Sequence, residues 1–537
     1  MPEQNDNISV QYTKLKAIMG KKIYALPMER IIFLSFLYLL INVLLFLIGW
    51  FEPYVSIPLG VVLLWYVFVA YRDTKSASPE PPDCWSMSLG DLIQLALLLL
   101  LLFYAMYKTG IMGGYPTHYD YKVFRNALYH NLIDAPWPLV LPDGNEMSYY
   151  LSGFLFPAIL SRFTQSYLLQ QFVLGGWVVI SVFLAFVLLF AKLKKVSWCL
   201  VLFSLFISTP FDGWSSFSWI NKGIQYVSHL LFGIEGWPDF MIGRWHGIVS
   251  MHGLLAISAP ILVGAMLVTM KSQRSSLVPL LMAMLAAISP LGAVGLLPIA
   301  FFVYVQALIE EKKSVPVLLF SLIVACTLAC CFGIYFLRSS SDTYVGLSSG
   351  NWGLPAVLSY YVPTQLLLLL MCFHVLKIHK NNLLFIVIFL SISICPFFFI
   401  GSRVGSMFSG LNELWFKSRP VYVLLLCYVV VSAWRNIPIW GRSLWFACSL
   451  SMLLPFVSDL TKDITFHPRT EQIKDEWNGH LYHPTHAFLK QSCPPCKDVL
   501  IPGIIMRESG RSEKVFPGCL LPKAKGCNYA RVKNSAG

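Results

Sequence analysis

The amino-acid sequence predicts an all-α membrane protein, a polytopic transmembrane bundle of about thirteen helices with extracytoplasmic loops and a small tail domain. Hydrophobic residues make up 56% of the 537 residues, whereas charged residues make up only 12%. Apolar runs recur between residues 30 and 460, and a helix needs about 20 apolar residues to cross a bilayer. Lysine and arginine are concentrated between these runs, which is typical of chains that cross a membrane repeatedly.

Fourteen apolar segments are predicted to be helical. They are 30–51, 54–71, 91–108, 148–163, 167–190, 197–210, 246–270, 276–290, 292–309, 315–337, 354–378, 382–400, 420–434 and 443–460. Thirteen of them are predicted to cross the membrane. The exception is 148–163, which is short and lies between two loops assigned to the same side, so we expect a re-entrant or interfacial helix there.

The distribution of basic residues predicts that the N-terminal segment 1–29 lies inside the cell. With that orientation, the basic clusters on the inner side are Arg72–Lys75, Lys192–Lys195, Lys271–Arg274, Lys312–Lys313, Lys377–Lys380 and Arg435–Arg442. The loops on the outer side are 109–147, 211–245, 338–353 and 401–419. The expected location is the bacterial cytoplasmic membrane, with the C-terminal tail outside.

The net charge of +13 comes from basic residues that set the topology and meet anionic lipid, and it does not indicate nucleic-acid binding. The chain has no GxxxxGK phosphate loop and no HExxH motif. Its apolar segments carry few charges and no paired carboxylates, which counts against an ion-coupled transporter.

The tail, residues 461–537, is polar and is predicted to be a small disulfide-bonded domain. Its four cysteines are Cys493, Cys496, Cys519 and Cys527. An even set of cysteines outside the cytoplasm favours two disulfides, although the sequence does not define the pairing. The Cys493-Pro-Pro-Cys496 motif also resembles a zinc half-site or a redox motif, but no clear second metal-binding pair follows it.

The first outer loop contains the strongest candidate for catalysis, Asp120. A carboxylate at the outer end of a span can act as a general base on a sugar hydroxyl or can hold a divalent cation. The alternative is a helix N-cap, a position at which aspartate is favoured. In the same loop Trp137, Tyr149 and Tyr150 suit stacking on a sugar ring, and they equally suit the aromatic belt of a membrane interface.

The other outer loops add charged candidates. His252 lies one turn into a predicted span, where a histidine can contact a phosphate, a metal or a carboxylate, or can be satisfied by a backbone carbonyl. Arg403, Lys417 and Arg419 form a basic cluster on the side where basic residues are not expected. The anionic partner is predicted to be either a lipid-linked phosphate or the headgroups of bulk lipid.

The outer loops contain a set of motifs: Asp120-x5-Asn126-Ala127-Leu128, Asn131-Leu132, Trp137-Pro138, Tyr149-Tyr150, Ile234-Glu235-x-Trp237, His252, the Ser289–Pro298 hairpin and Asn412-Glu413 with Lys417 and Arg419. Together these motifs resemble those of bacterial polytopic proteins related to the C-type membrane glycosyltransferases. The resemblance extends from about residue 91 to residue 435. The chain differs from the family pattern in having Arg125 before Asn126, in having Lys417 at the late arginine position, and in placing the loop after the third predicted span.

The resemblance implies a glycosyltransferase that takes a sugar from a polyprenyl-phosphate carrier outside the cytoplasm during envelope glycan assembly. Asp120 would be the base or a metal ligand, while Lys417, Arg419 and Arg403 would hold the donor phosphate. The substrate-binding residues would also include Asn126, Trp137, Tyr149, Tyr150, Glu235 and His252. The alternative function is a non-enzymatic transporter or binding protein for a lipid or glycan, which would use the same basic cluster to hold a headgroup.

Overall fold

Helices account for 87% of the residues whose structure is described here. The computed structural model describes residues 22–76, 84–108, 129, 132–133, 136–138, 151–164, 166–207, 254–270, 277–311, 315–337, 342–347, 366–373, 383–394, 398–404, 407–408, 413–462, 506–507, 513–515 and 532–533. Each of the fourteen segments predicted to be helical contains or overlaps a helix in these ranges.

The helices are numbered along the chain. They are α1 (Met28–Trp50), α2 (Pro53–Ser76), α3 (Leu89–Lys108), α4 (Ser152–Ser161), α5 (Tyr167–Leu193), α6 (Trp198–Phe206), α7 (Leu254–Thr269), α8 (Val278–Ile288), α9 (Pro290–Glu311), α10 (Val315–Leu337), α11 (Leu383–Ile394), α12 (Glu413–Ser432) and α13 (Ile439–Lys462). Residues 366–373 are also helical.

Two of the described helices are long and apolar enough to cross a membrane. They are α1, with a mean hydropathy of 2.9, and the Leu169–Leu193 part of α5, with a mean hydropathy of 2.7. The apolar parts of the other helices are shorter, at 10–17 residues. The count of thirteen spans therefore stays a prediction from the sequence.

The ends of the helices follow local sequence signals. Ser88 and Asp91 form a reciprocal capping box at the start of α3, with the Ser88 amide donating to Asp91 at 2.9 Å and the Asp91 amide donating to Ser88 at 3.2 Å. Ser166 caps α5 by accepting from the Leu169 amide. Helix α5 ends at Lys194, which has a left-handed backbone with φ of 56°.

Helices α7 and α12 form the buried centre of the described bundle. Helix α12 packs against α6, α7, α9 and α11, and all its residues from Ser418 to Cys427 are buried. The two backbones approach closely at Gly264 of α7, where an added Cβ would lie 2.2 Å from a methyl carbon of Val421. A glycine at this position lets the helices meet, which is how small residues act in membrane bundles.

Three small antiparallel sheets accompany the helices, so the all-α prediction holds only for the main architecture. Strand β1 (Lys22–Pro27) pairs with β2 (Cys84–Ser88). Strand β3 (Asp342–Leu347) pairs with β4 (Phe398–Val404), which in turn pairs with β5 (Met407–Phe408). In the tail, β6 (Met506–Arg507), β7 (Glu513–Val515) and β8 (Val532–Lys533) form the third sheet.

The first two sheets join segments that are distant in the sequence. The pair β1–β2 links the chain before α1 to the chain before α3, and both segments were assigned to the inner side. The pair β3–β4 links the loops 338–353 and 401–419, which were both assigned to the outer side. Each sheet therefore connects segments that the sequence places on one side.

The prediction of a helix over 382–400 is wrong at its C-terminal end, because α11 ends at Ile394 and β4 begins at Phe398. Pro396 accounts for this break, since the residue before a proline avoids the helical region of backbone space. The aromatic and β-branched residues that follow favour a strand.

The predicted start of the helix at residue 420 is also wrong, because α12 begins at Glu413 and continues through Pro420. The prediction followed the apolar run, which begins after the charged residues Glu413, Lys417 and Arg419. The seven residues before Pro420 carry enough helix-forming side chains to extend the helix. Lys417 and Arg419 therefore belong to the first two turns of α12, not to a loop.

We predict that Gly264→Ala destabilises the bundle by about 1–3 kcal/mol, because the new methyl group overlaps Val421. The measurement is thermal unfolding of the purified protein in detergent. Adding Val421→Ala should recover part of the loss, since it removes the opposing methyl groups. Gly333→Ala on α10 is the control, because a Cβ there would meet no atom within 4 Å. Equal melting temperatures for the two glycine variants would contradict the prediction.

Candidate functional site

The short helix α4 begins inside the bundle and rises to one end of it. At its first residue, the Ser152 hydroxyl donates to the backbone oxygen of Asn42 at 3.1 Å. Asn42 lies eight residues before Trp50, the last residue of α1, which is about 12 Å along the helix. Just after α4, the Arg162 guanidinium lies 4.9 Å from the Trp137 ring, which is itself 5.7 Å from the Trp50 ring.

Trp137 and Arg162, which precede and follow α4 in the sequence, thus lie near the same end of α1, as expected for the re-entrant helix that the sequence predicts. We call this the outer end, because the sequence assigns it to the outer side. A non-helical backbone at this depth is tolerated only where it is buried in protein or lines a cavity. Gly153, in the first turn of α4, lies close to Ile288 at the end of α8, with an added Cβ at 3.5 Å.

A polar cluster connects α1, α5 and α7 beneath the start of α4. The Tyr38 hydroxyl is hydrogen-bonded to the side chains of Ser181 and Ser258, and Ser181 also donates to the Ser258 carbonyl at 2.9 Å. The Trp177 indole stacks on Tyr38 at 4.3 Å and donates to the Asn42 side chain at 3.3 Å. These hydrogen bonds satisfy polar groups that would otherwise be costly inside an apolar bundle.

Sequence reasoning did not find this cluster, although α1 carried a signal for it. Ser35, Tyr38 and Asn42 are spaced by three and four residues, and this spacing puts them on one face of the helix. All three are buried in the structure. A polar stripe on an apolar helix marks the face that meets other helices.

Tyr129 anchors the first outer loop to the bundle. Its hydroxyl lies 2.7 Å from the Ser161 hydroxyl and donates towards the carbonyl oxygens of Pro157 at 3.1 Å and Gln170 at 3.2 Å. Burial raises the pKa of Tyr129 above its usual value, against a smaller opposite effect of the hydrogen bond to Ser161. The side chain thus stays a neutral hydrogen-bonding group that links the loop to the start of α5 and the end of α4.

Trp137 and Arg162 hold a second point of the same loop. The Trp137 indole donates to the Leu132 carbonyl at 2.9 Å, and Arg162 donates to that same carbonyl at 3.2 Å. The Trp137 ring also packs closely against Gly49. If Gly49 carried a Cβ, that atom would lie 3.0 Å from an atom of the ring. Trp137 was predicted to line a sugar site, and its described contacts are with Arg162, Gly49, Trp50 and the Leu132 carbonyl.

Arg419 is the most deeply buried charged residue among those described, with 0% of its surface exposed. It lies one turn before Tyr422, on the same face of α12. The Tyr422 hydroxyl donates to the Gly295 carbonyl in the second turn of α9. Gly292, one turn earlier in α9, lies against Pro260 of α7. Arg419 therefore lies near the place where α7, α9 and α12 meet.

The two other residues of the predicted basic cluster are placed by their backbones. Lys417 lies in the first two turns of α12. Arg403 lies on β4 directly opposite Asp342 of β3. A carboxylate residue therefore occupies the register position opposite Arg403, where opposite charges favour strand pairing.

The remaining candidate residues fall outside the described part of the chain. These are Asp120, Asn126, Tyr149, Tyr150, Glu235, His252, Cys493, Cys496, Cys519 and Cys527. Their predicted roles therefore stay predictions. The eight cysteines that are described form no disulfides with one another. Within the same ranges, no group of three or more metal-binding side chains is close enough to hold a metal ion.

Comparisons with protein-family models, with curated proteins and with solved structures found no match to this chain.

We predict that Tyr129→Phe lowers the stability of the protein by about 1–2 kcal/mol, because it removes the hydroxyl that bonds to Ser161 and Gln170. Thermal unfolding in detergent measures the effect. Tyr54→Phe is the matched control, since Tyr54 is 77% exposed. If both variants unfold at the wild-type temperature, the anchoring role of Tyr129 is wrong.

We also predict that residues on both sides of α4 are reached from one face of the membrane. In intact spheroplasts, an impermeant maleimide should label Pro136→Cys and Phe163→Cys, which are both at exposed positions. Lys195→Cys, beyond α5, should be labelled only after lysis. Wild-type protein labelled in parallel gives the background from native cysteines. Labelling of Pro136→Cys and Phe163→Cys from opposite faces would show that α4 crosses the membrane.

Proposed function

We propose that this chain is an integral membrane glycosyltransferase that uses a polyprenyl-phosphate-linked sugar on the outer side of the bacterial cytoplasmic membrane. Asp120 would take the proton from the acceptor hydroxyl while the hydroxyl oxygen attacks the sugar carbon. The lipid phosphate would leave from the opposite side of that carbon. Arg419, with Lys417 and Arg403, would bind that phosphate. A divalent cation at Asp120 is compatible with this chemistry, because a carboxylate can also serve as its ligand.

The observation that carries the proposal is the burial of Arg419. A charged group in an apolar bundle is costly and is usually found where it contributes to function. Arg419 has polar or ring partners in the structure, so it is held in a defined place. A guanidinium offers paired donors that match a phosphate better than a lysine ammonium does. A lipid-linked phosphate that enters from the bilayer would reach such a group without crossing water.

The re-entrant helix α4 gives independent support. Its N-terminal end lies inside the bundle, and a helix N-terminus carries partial positive charge. Broken helices of this kind line substrate sites in membrane proteins. The Tyr129 and Trp137 contacts hold the first outer loop against the same end of the bundle.

The β1–β2 sheet and α5 support the proposed orientation. The Trp85 ring of β2 lies 6.5 Å from the Phe190 ring near the end of α5, so the β1–β2 sheet and the lysines that follow Phe190 are at one end. Trp50 and Arg162 are at the opposite end of the same helices. If the basic residues lie inside, the first outer loop would lie outside the cytoplasm, as the proposal requires.

A second function is favoured by α4 alone. A transporter for a lipid or glycan would also use a re-entrant helix at its binding site. It would bind the same phosphate-linked sugar but would break no glycosidic bond. Transfer of the sugar, measured apart from its binding, distinguishes the two functions.

We predict that Asp120→Asn lowers sugar transfer by about 100-fold or more, which is the usual effect of removing a general base. Release of polyprenyl phosphate from a labelled donor in proteoliposomes measures turnover, and donor binding is measured separately. Binding should be unchanged in Asp120→Asn and weakened about 10-fold or more in Arg419→Gln. Arg435→Gln, at an exposed residue beyond the other end of α12, is the control. A wild-type protein that binds the donor without transferring its sugar would support the transporter instead.

A further inference from the structure

We infer that Arg162 is a positioning residue of the proposed transferase, because it fixes the outer loop that carries Asp120 and Asn126. The inference rests on the proposed function for its catalytic part. It concerns a residue that the sequence patterns did not single out. Arg162 follows α4 directly and is exposed at the outer end of the bundle.

Arg162 makes two contacts with the loop at once. Its Nη2 donates to the Leu132 carbonyl at 3.2 Å, while its guanidinium carbon lies 4.9 Å from the Trp137 ring centre. The Trp137 indole donates to the same Leu132 carbonyl at 2.9 Å. One backbone oxygen therefore receives two donors, and the side chains that supply them are in contact with each other.

Trp137 is also in contact with α1. The ring is close to the backbone of Gly49 and to the ring of Trp50, both at the end of α1. Trp50 is buried, and its indole nitrogen has no hydrogen-bond partner within the described structure, so it contributes through its ring. Trp137 thus contacts both α1 and the Arg162 guanidinium, which can stack on an aromatic face as well as donate hydrogen bonds.

The anchored points limit where the candidate residues can be. Tyr129 is fixed by its hydroxyl to Ser161 and Gln170. Asn126 is three residues away in the sequence, which is at most about 11 Å of extended chain. Asp120 is nine residues away, or at most about 32 Å. The position of the loop at Tyr129 therefore bounds the distance of Asn126 from a fixed point more tightly than that of Asp120.

Loss of Arg162 is expected to affect the chemical step and not the binding of the donor. A base must lie within hydrogen-bond reach of the acceptor hydroxyl, and a displacement of about 1 Å can lower a rate 100-fold. The donor phosphate is assigned to Arg419 on α12, which is a different element from the loop. Loss of Arg162 should therefore reduce kcat and leave the KM for the donor nearly unchanged.

Arg442 is a matched control, because it also contacts a tryptophan ring and donates to backbone carbonyls. Arg442 lies 5.9 Å from the Trp434 ring centre and donates to the carbonyls of Ile437 at 2.8 Å and Arg435 at 2.9 Å. It joins the segment between α12 and α13, away from the first outer loop. Arg162→Gln and Arg442→Gln each remove an arginine that stacks on tryptophan and bonds to the backbone, so they should have similar effects on overall stability.

The experiment compares wild type, Arg162→Gln, Arg162→Lys and Arg442→Gln in proteoliposomes. We expect Arg162→Gln to lower kcat by about 10- to 100-fold with an unchanged donor KM, and Arg162→Lys to recover part of the loss because it restores the charge. Arg442→Gln should keep wild-type kcat. Hydrogen exchange of the backbone over residues 120–138 should speed up only in the Arg162 variants, most in Arg162→Gln.

Each other outcome overturns a defined part of the inference. If exchange over 120–138 is unchanged in Arg162→Gln, Arg162 does not fix the loop. If exchange rises while kcat stays at the wild-type value, or if Arg442→Gln lowers kcat equally, Arg162 is not a positioning residue. If the wild-type protein transfers no sugar, the proposed function is wrong, and the exchange measurement still decides whether Arg162 fixes the loop.

Discussion

The structure depends on one constraint, which is that polar groups inside an apolar bundle must be satisfied by the protein itself. The Tyr38 hydroxyl meets this constraint through Ser181 and Ser258, and Asn42 meets it through Trp177. Ser152 meets it by donating to the Asn42 backbone. These bonds join α1, α4, α5 and α7, so the same contacts that satisfy the polar groups also determine which helices are neighbours.

Helix α4 is connected to this network at its first residue. A helix that starts inside the bundle leaves its first amide groups without partners in the preceding turn. Helices α1 and α8 contact its first turn, and Tyr129 and Arg162 hold its other end. The first outer loop is consequently part of the folded bundle where it is described.

Helix α12 is closely packed and also contains a buried charged residue. Gly264 allows α7 to approach Val421, and Tyr422 bonds to the backbone of α9. Arg419 is one turn away, in a position that these contacts keep fixed. A charge can be useful for binding only if its position is held before the ligand arrives, because ordering it afterwards would cost binding energy. The packing of α12 thus prepares the group that the proposed function assigns to the donor phosphate.

The sequence by itself determined where the helices are, because long apolar runs define them without reference to other parts of the chain. It also indicated that the segment 148–163 was not an ordinary span, since its length and its flanking loops were visible in the sequence. It did not predict the sheets, because β3 and β4 lie some fifty residues apart and strand pairing at that distance leaves no local pattern.

Only the tertiary structure decided which polar residues act together. The sequence singled out Trp137 and Arg419 because aromatic and basic residues are conspicuous among apolar ones, but it gave no reason to choose Arg162 or Tyr129. Their importance comes from contacts with Leu132, Ser161 and Gln170 across a turn and between helices. Such contacts depend on how the helices pack, and packing is determined by the shapes of many side chains together, not by any short stretch of sequence.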